Sequence, residues 1–313
     1  MKGFFTQTAC ILLESECTFS QLEMALQSFE IVKKDSKAKD WHFNGPEIVV
    51  SFRPEQNGCI LVDVVGHPWP DDMGSPQTAP DLFAAWGMGY FGPFTYPGGL
   101  GRATQQCWHW EEGRMVSQRH QGFIRIRSTY SLDAKPNALI MPEDYDSLSE
   151  IIMLTEIASA LANMEKALCY YNPNGESLQS AATVRDALKW YRDSGVPPLH
   201  LWSNIRLFNF EQTSGWSMMD TVGLGQIDVP DQEACFAAEK YEAREVSNFL
   251  LNAGLYLMKN GSVIKDGDTM SGPSNKNWQA RIMKHSLLDP PRETLRWFPV
   301  DESKPPAQMV NGR

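Results

Sequence analysis

The chain has 313 residues, 42% hydrophobic and 21% charged, and a formal net charge of −10. That length suits two cores better than one, and the acidic balance argues against nonspecific nucleic-acid binding, which relies on Lys and Arg to neutralise phosphates. No apolar run approaches the roughly twenty residues of a membrane helix. The six cysteines form no CxxC pair and have no His at ligand spacing, so the reading is buried, reduced thiols in a cytoplasmic protein with no metal or other cofactor.

The opening MKGFFTQTACILLESEC is interrupted by Thr6, Gln7 and Thr8 and runs straight into Glu14 and Glu16, so Phe4 to Leu13 reads as a buried strand and not as a secretory signal. Thr18 with Gln21, and Ser20 with Glu23, are capping-box candidates for a helix over Gln21 to Phe29. Lys33 to Asp40 is charged and loop-like. Strands over Glu47–Phe52 and Cys59–Val65 follow, joined by the turn chemistry of Pro54 to Gly58. After a Pro- and Gly-rich loop, Leu82 to Gly92 reads as a short apolar helix, and Tyr96 to Trp110 as a glycine-rich turn leading into another. Gln121–Tyr130 alternates, with Ile124 and Ile126 on one side and Arg125 and Arg127 on the other, the pattern of a half-buried strand.

Asp133 to Pro142 reads as a linker. Ser147 with Glu150 suggests a capping box for a helix running to about Met164. A strand ALCYY, a helix from about Leu178 to Tyr191 ending at Gly195, and strands over His200–Phe210 and Trp216–Val222 come next. A helix from about Arg244 to Asn260 ends at Gly261. A tail strand near Ala280–Lys284 or Thr294–Phe298 completes the order. Asp63-Val-Val-Gly66 and Asp220-Thr-Val-Gly223 close matching strands in the two halves. The fold class expected is therefore α+β, with two subdomains, 1–140 and 141–313, of ferredoxin-like order and related by duplication, their sheets packed or fused.

No motif fixes a chemistry. Asp266-Gly267-Asp268 offers two carboxylates about a glycine, which fits a cation loop or an ordinary tight turn. His67 beside Asp71 and Asp72 fits a general base or surface decoration. Tyr96 to Arg102 resembles anion-binding glycine turns without meeting their spacing, and Gly98 and Gly99 suit positive φ. Arg119, Arg125 and Arg127 form either a recognition patch or outward charges on a half-exposed strand. The aromatics between Trp69 and Trp110 supply a core, and some of them a partner surface.

The segments ALCYYNPNGE, PLHLWSNIRLF, DTVGLGQIDVPD and FLLNAGLYLMKNGSVIKDGDTM together resemble the bacterial domain-of-unknown-function family numbered 4261, over about residues 167–297. The first half, with VDVVGHPWPDDMG and LFAAWGMGYFGPFTYPGGLGRA, resembles longer members. The resemblance implies a soluble bacterial protein and transfers no catalytic residue; such families sometimes travel with secreted toxins as immunity proteins or adaptors. Two readings result. One is a non-enzymatic module that docks another bacterial protein, a toxin or effector, as immunity factor or chaperone, through Trp86, Tyr90, Phe91, Tyr96, Arg102, Trp108 and Trp110, with neither nucleic acid nor membrane as partner. The other is an enzyme or small-molecule or metal binder using His67, Asp71, Asp72, Asp266 and Asp268 in a cleft between the subdomains.

Overall fold

The computed structural model describes residues 2–37, 41, 43–133, 139–210, 215–300 and 305–311. The centre of the expected linker and the end of the charged stretch before Asp40 lie outside them. The chain is α+β and divides into two compact units, Met1–Trp202 and Ser203–Arg313. The division falls well after the expected 140/141, because strands beyond the linker complete the first sheet.

The first unit begins with β1 (Gln7–Leu13), α1 (Phe19–Ala25), β2 (Ile31–Asp35), β3 (Glu47–Ser51) and β4 (Cys59–Val65). Thr18 closes the expected capping box with Gln21 at the start of α1. Between β4 and β5 (Gly122–Thr129) lie three short helices: α2 (Pro80–Gly87), α3 (Gly99–Gln105) and α4 (Val116–Arg119). Then follow α5 (Ser147–Leu161), β6 (Ala167–Asn172), β7 (Ser177–Gln179), α6 (Ala181–Ser194) and α7 (Leu199–Trp202). The seven-stranded sheet has the order β2-β3-β4-β5-β1-β6-β7, every pair antiparallel. This is not the expected ferredoxin-like order, partly because the stretch expected to be loop from Lys33 onward begins inside Ile31–Asp35, which pairs with β3 as an edge strand. Lysines suit such an edge, where they discourage further pairing.

One face of this sheet packs on α5, whose Ile151, Leu154, Ile157, Ala158 and Leu161 are buried at helical spacing. The cap of α5 is Asp146, whose carboxylate accepts from the Leu148 and Ser149 amides, not Ser147 as expected. Glu150 turns inward instead. The other face lies under the segment between β4 and β5, where Trp69, Trp86, Phe91, Leu100 and Cys107 pack on Cys10, Leu12, Val65, Phe123 and Tyr171. Both faces of β5 are therefore covered, and the strand expected to be half-buried is buried along its length.

The second unit contains β8 (Asn204–Asn209), β9 (Trp216–Val222), β10 (Asp231–Ala237), α8 (Ala243–Asn260), β11 (Thr269–Ser271), β12 (Asn277–Met283), β13 (Thr294–Pro299) and α9 (Ala307–Asn311). Its sheet runs β11-β12-β13-β10-β9-β8, with β10 and β13 parallel and the other pairs antiparallel. Both candidate tail strands exist and pair with each other. The amphipathic α8 buries Val246, Phe249, Leu250, Ala253 and Leu257. Phe249 meets the rings of Trp278 and Trp297 at 5.4 and 5.2 Å. A second apolar cluster joins Met218, Cys235 and Phe298 of the sheet to Leu287 and to Met309 of α9.

Candidate functional site

The segment between β4 and β5 holds most of the residues singled out from the sequence, and it has two sides. Trp86 and Phe91 are buried and belong to the core, so they present nothing to a partner. Trp110 is half-buried against the same core. Trp108 and Tyr96 are exposed, at 62% and 39%, together with Phe83, Met88 and Met115 in the same segment. Arg114 lies over the Trp108 ring at 4.9 Å, and the Trp108 indole N–H donates to Gln106.

The polar residues of this segment hold it in place. The Asp71 carboxylate accepts from the Leu100 and Gly101 amides, both at 2.8 Å, and so caps α3. Asp72 does the same for the Gly74 amide. Arg102 makes a forked pair with Glu176 at 2.6–3.1 Å and also donates to the Pro97 carbonyl, so the glycine turn's cation already has its anion. Gly98 has the expected positive φ of 77°. Gly99 does not; a Cβ there would lie 3.2 Å from the Tyr171 hydroxyl, a tight approach that a glycine relieves. His67 is exposed just beyond β4, its ring 6.2 Å from that of Phe43. In the second unit, Asp268 accepts from the Lys265 amide, a local hydrogen bond of a tight turn, while Asp266 accepts from the Ile282 amide and ties that turn to β12. No group of three His, Cys, Asp or Glu residues suited to a metal occurs among the described residues.

The largest departure from the sequence reading is the basic patch. Arg125 and Arg127 are fully buried, because the aromatic segment covers the face on which they alternate. Asp63 stands directly across from Arg125 in the β4–β5 ladder and accepts from its Nε and Nη2 at 3.1 and 2.6 Å, and from Arg127 Nη2 at 3.0 Å. The ring of Tyr90 lies 4.4 Å from both guanidinium centres and that of Phe5 4.2 Å from Arg127. Burial alone would raise the Asp63 carboxyl, but the two arginines outweigh it and hold it below the usual range. Arg119, the third member, is exposed and pairs with Glu14 at 2.7 Å.

The second unit carries a larger version that sequence reasoning missed. Arg206, Asp220, Glu233 and Arg296 occupy one cross-strand row over β8, β9, β10 and β13, all buried. Asp220 takes Arg206 at 2.6–2.9 Å and Arg292 at 2.7 Å. Glu233 takes Arg296 at 2.7 Å, the Thr294 hydroxyl and the Leu287 amide. Arg206 and Arg296 then donate outward to the carbonyls of Asp289 and Met309, so the row fastens both the 286–292 strap and α9. The Asp-x-Val-Gly echo in the sequence was the available signal, and it marks the aspartate of each cluster.

Other titratable groups are buried in the same way. All six cysteines are free and buried, and burial pushes the Cys17 and Cys59 thiols up to about 11. Burial raises the Glu150 carboxyl, which accepts from the hydroxyls of Thr6 and Tyr145, both at 2.6 Å. His120 accepts the Trp69 amide at Nε2, 2.9 Å, and burial lowers its basicity.

Residues 220–298, wholly within the second unit, match the family model described as Domain of unknown function (DUF4261). The matched stretch contains Asp220, Asp231, Glu233, Arg292 and Arg296, so most of the buried charge row lies within it. No curated protein and no solved structure matches the chain. No described helix is long and apolar enough to cross a membrane.

Proposed function

We propose that the chain is a protein-binding module that meets a partner through the outer side of the segment between β4 and β5. The observation that carries this reading is that segment's division into two sides. Its inner aromatics form a core, while Trp108, Tyr96, Met88 and Met115 stand exposed on a backbone held rigid by the Asp71 cap and the Arg102–Glu176 pair. Large exposed apolar side chains on a well-anchored backbone suit interface anchors. Exposed Asp81, Glu111 and Glu112 lie in the same segment, and the chain is acidic overall, so the partner presents a basic rim around an apolar centre. A secreted toxin or effector with a basic surface fits, with this chain as its immunity factor or adaptor.

The test is affinity capture from the source cells with wild-type protein, Trp108→Ala and Tyr96→Ala, after thermal unfolding has shown that the variants fold. The reading expects one stoichiometric partner that is lost with Trp108→Ala and released by salt. A partner retained equally by both variants contradicts it.

A further inference from the structure

Away from the aromatic segment, the first unit has an open groove of about 560 Å³ between α5 and α6, lined also by Ser28 and Phe29 beyond α1. Arg185, Lys189 and Arg192 line it from α6 at a spacing of four and three residues, which places them on one helix face. Across from them, Glu156, Ala160 and Asn163 line it from α5 and the residues just after it. Arg185 Nη1 donates to Asn163 Oδ1 at 2.7 Å, and Arg192 Nη2 to Glu156 Oε1 at 2.9 Å. The helices are therefore antiparallel, and the two arginines clamp the groove at either end.

Midway between the clamps are Lys189 and Ala160. Lys189 is exposed and pairs with none of the described residues, and the short side chain of Ala160 leaves the space in front of it open. Three cations thus face one carboxylate in a concave site, within a chain of net charge −10. Asp186 and Asp193, the other charges of α6, do not line the groove. A solvated helix face needs neither the clamps nor the concavity. The size suits a small ligand, and the arginine forks suit oxyanions.

We propose that this groove binds a small, multiply charged oxyanion, a phosphate ester or a polycarboxylate, with Lys189 as its central contact and Arg185 and Arg192 at its ends. The proposal is independent of the protein-binding reading. The test is calorimetric titration of the full chain at low salt with inorganic pyrophosphate and, separately, citrate; the tighter probe identifies phosphate or carboxylate as the class. Lys189→Ala is expected to weaken binding by about tenfold, as for loss of one charge-assisted contact, and Lys189→Glu to abolish it. Ala160→Leu, which keeps every charge and fills the space, also abolishes it. Arg119→Ala and Trp108→Ala bind as wild type, which separates failure here from failure of the protein-binding reading. Thermal unfolding verifies that each variant is folded. Equal binding by wild type and Lys189→Ala, or no binding of either probe, overturns the proposal. Binding of a hexaglutamate peptide without either small probe also overturns it and assigns the groove to an acidic protein segment.

Discussion

The two units each bury an aspartate directly across the ladder from an arginine, Asp63 with Arg125 and Asp220 with Arg206. The surroundings differ. In the second unit Arg206, Arg292 and Arg296 answer Asp220, Asp231 and Glu233, and the arginines also reach backbone carbonyls of the strap and of α9. In the first, two fully buried arginines share one fully buried aspartate; Glu47 is only within 4.0 Å of Arg127, and aromatic rings supply much of the remaining cover. Arg127 Nε and Nη1 and Arg125 Nη1 have no hydrogen-bond partner, against Arg292 Nε and Arg296 Nη2 in the second unit, and Arg125 alone of the first pair reaches a backbone carbonyl, that of Phe43. Buried charge is therefore a fastening in one unit and only partly so in the other. A buried pair holds a fold when its geometry repays the cost of taking both ions out of water; in the second unit Arg206, Arg292 and Arg296 each also donate to a backbone carbonyl, whereas of the first unit's two only Arg125 does so among the described residues.

The sharpest way to break that contrast is to remove an acid. Asp220→Ala leaves Arg206 and Arg292 buried against each other, and urea unfolding is expected to show a loss of about 3–5 kcal/mol in the second unit. Arginine removal then separates the units. Arg206→Met leaves Asp220 with Arg292 alone and takes the guanidinium donor from the Asp289 carbonyl, and is expected to cost about 2–3 kcal/mol. Arg127→Met removes one pair together with two unfilled donors and a like charge beside Arg125, and is expected to stay within about 1 kcal/mol of wild type. If Arg127→Met costs as much as Arg206→Met, the contrast fails.

Smaller effects sharpen the account of the aromatic segment. Tyr90→Ala uncovers both guanidinium groups and gives up a hydrogen bond to Asn44, with an expected loss of about 1–2 kcal/mol by denaturant titration. His120 gives a pH signature. Its proton affinity is depressed by burial, so the unfolded chain binds the proton more readily; its contribution is complete above the ordinary value of 6.5 and is lost as pH falls from there through the folded value. Stability measured from pH 8 to pH 5 should decline, and His120→Gln, which keeps an acceptor for the Trp69 amide, should flatten that decline. An unchanged slope in His120→Gln would remove His120 from the explanation.

Much of the architecture was readable from local pattern. The helix cap at Thr18 and the helix stop at Gly195 follow from short-range chemistry, as do the paired strands about Pro54 to Gly58. Alternation along β5 correctly separated Ile124 and Ile126 from Arg125 and Arg127. Alternation reports only which side a residue takes, however, and not whether something distant covers that side. The cover comes from Tyr90 and Phe91, more than thirty residues earlier. For the same reason Trp86 and Trp108 looked equivalent in sequence and proved to be core and surface. The row through Arg206, Asp220, Glu233 and Arg296 exists only once four strands are in register, including one parallel pair, and no local window contains it.

On the proposed function, recognition falls to the first unit's outer aromatic side, and the second unit's buried charges serve structure. Hydrogen exchange on the complex with the captured partner tests this most directly. The account predicts new protection in peptides spanning residues 80–119, with residues 284–299 unchanged. Protection confined to residues 203–299, with the 80–119 peptides exchanging as in the free protein, would contradict it.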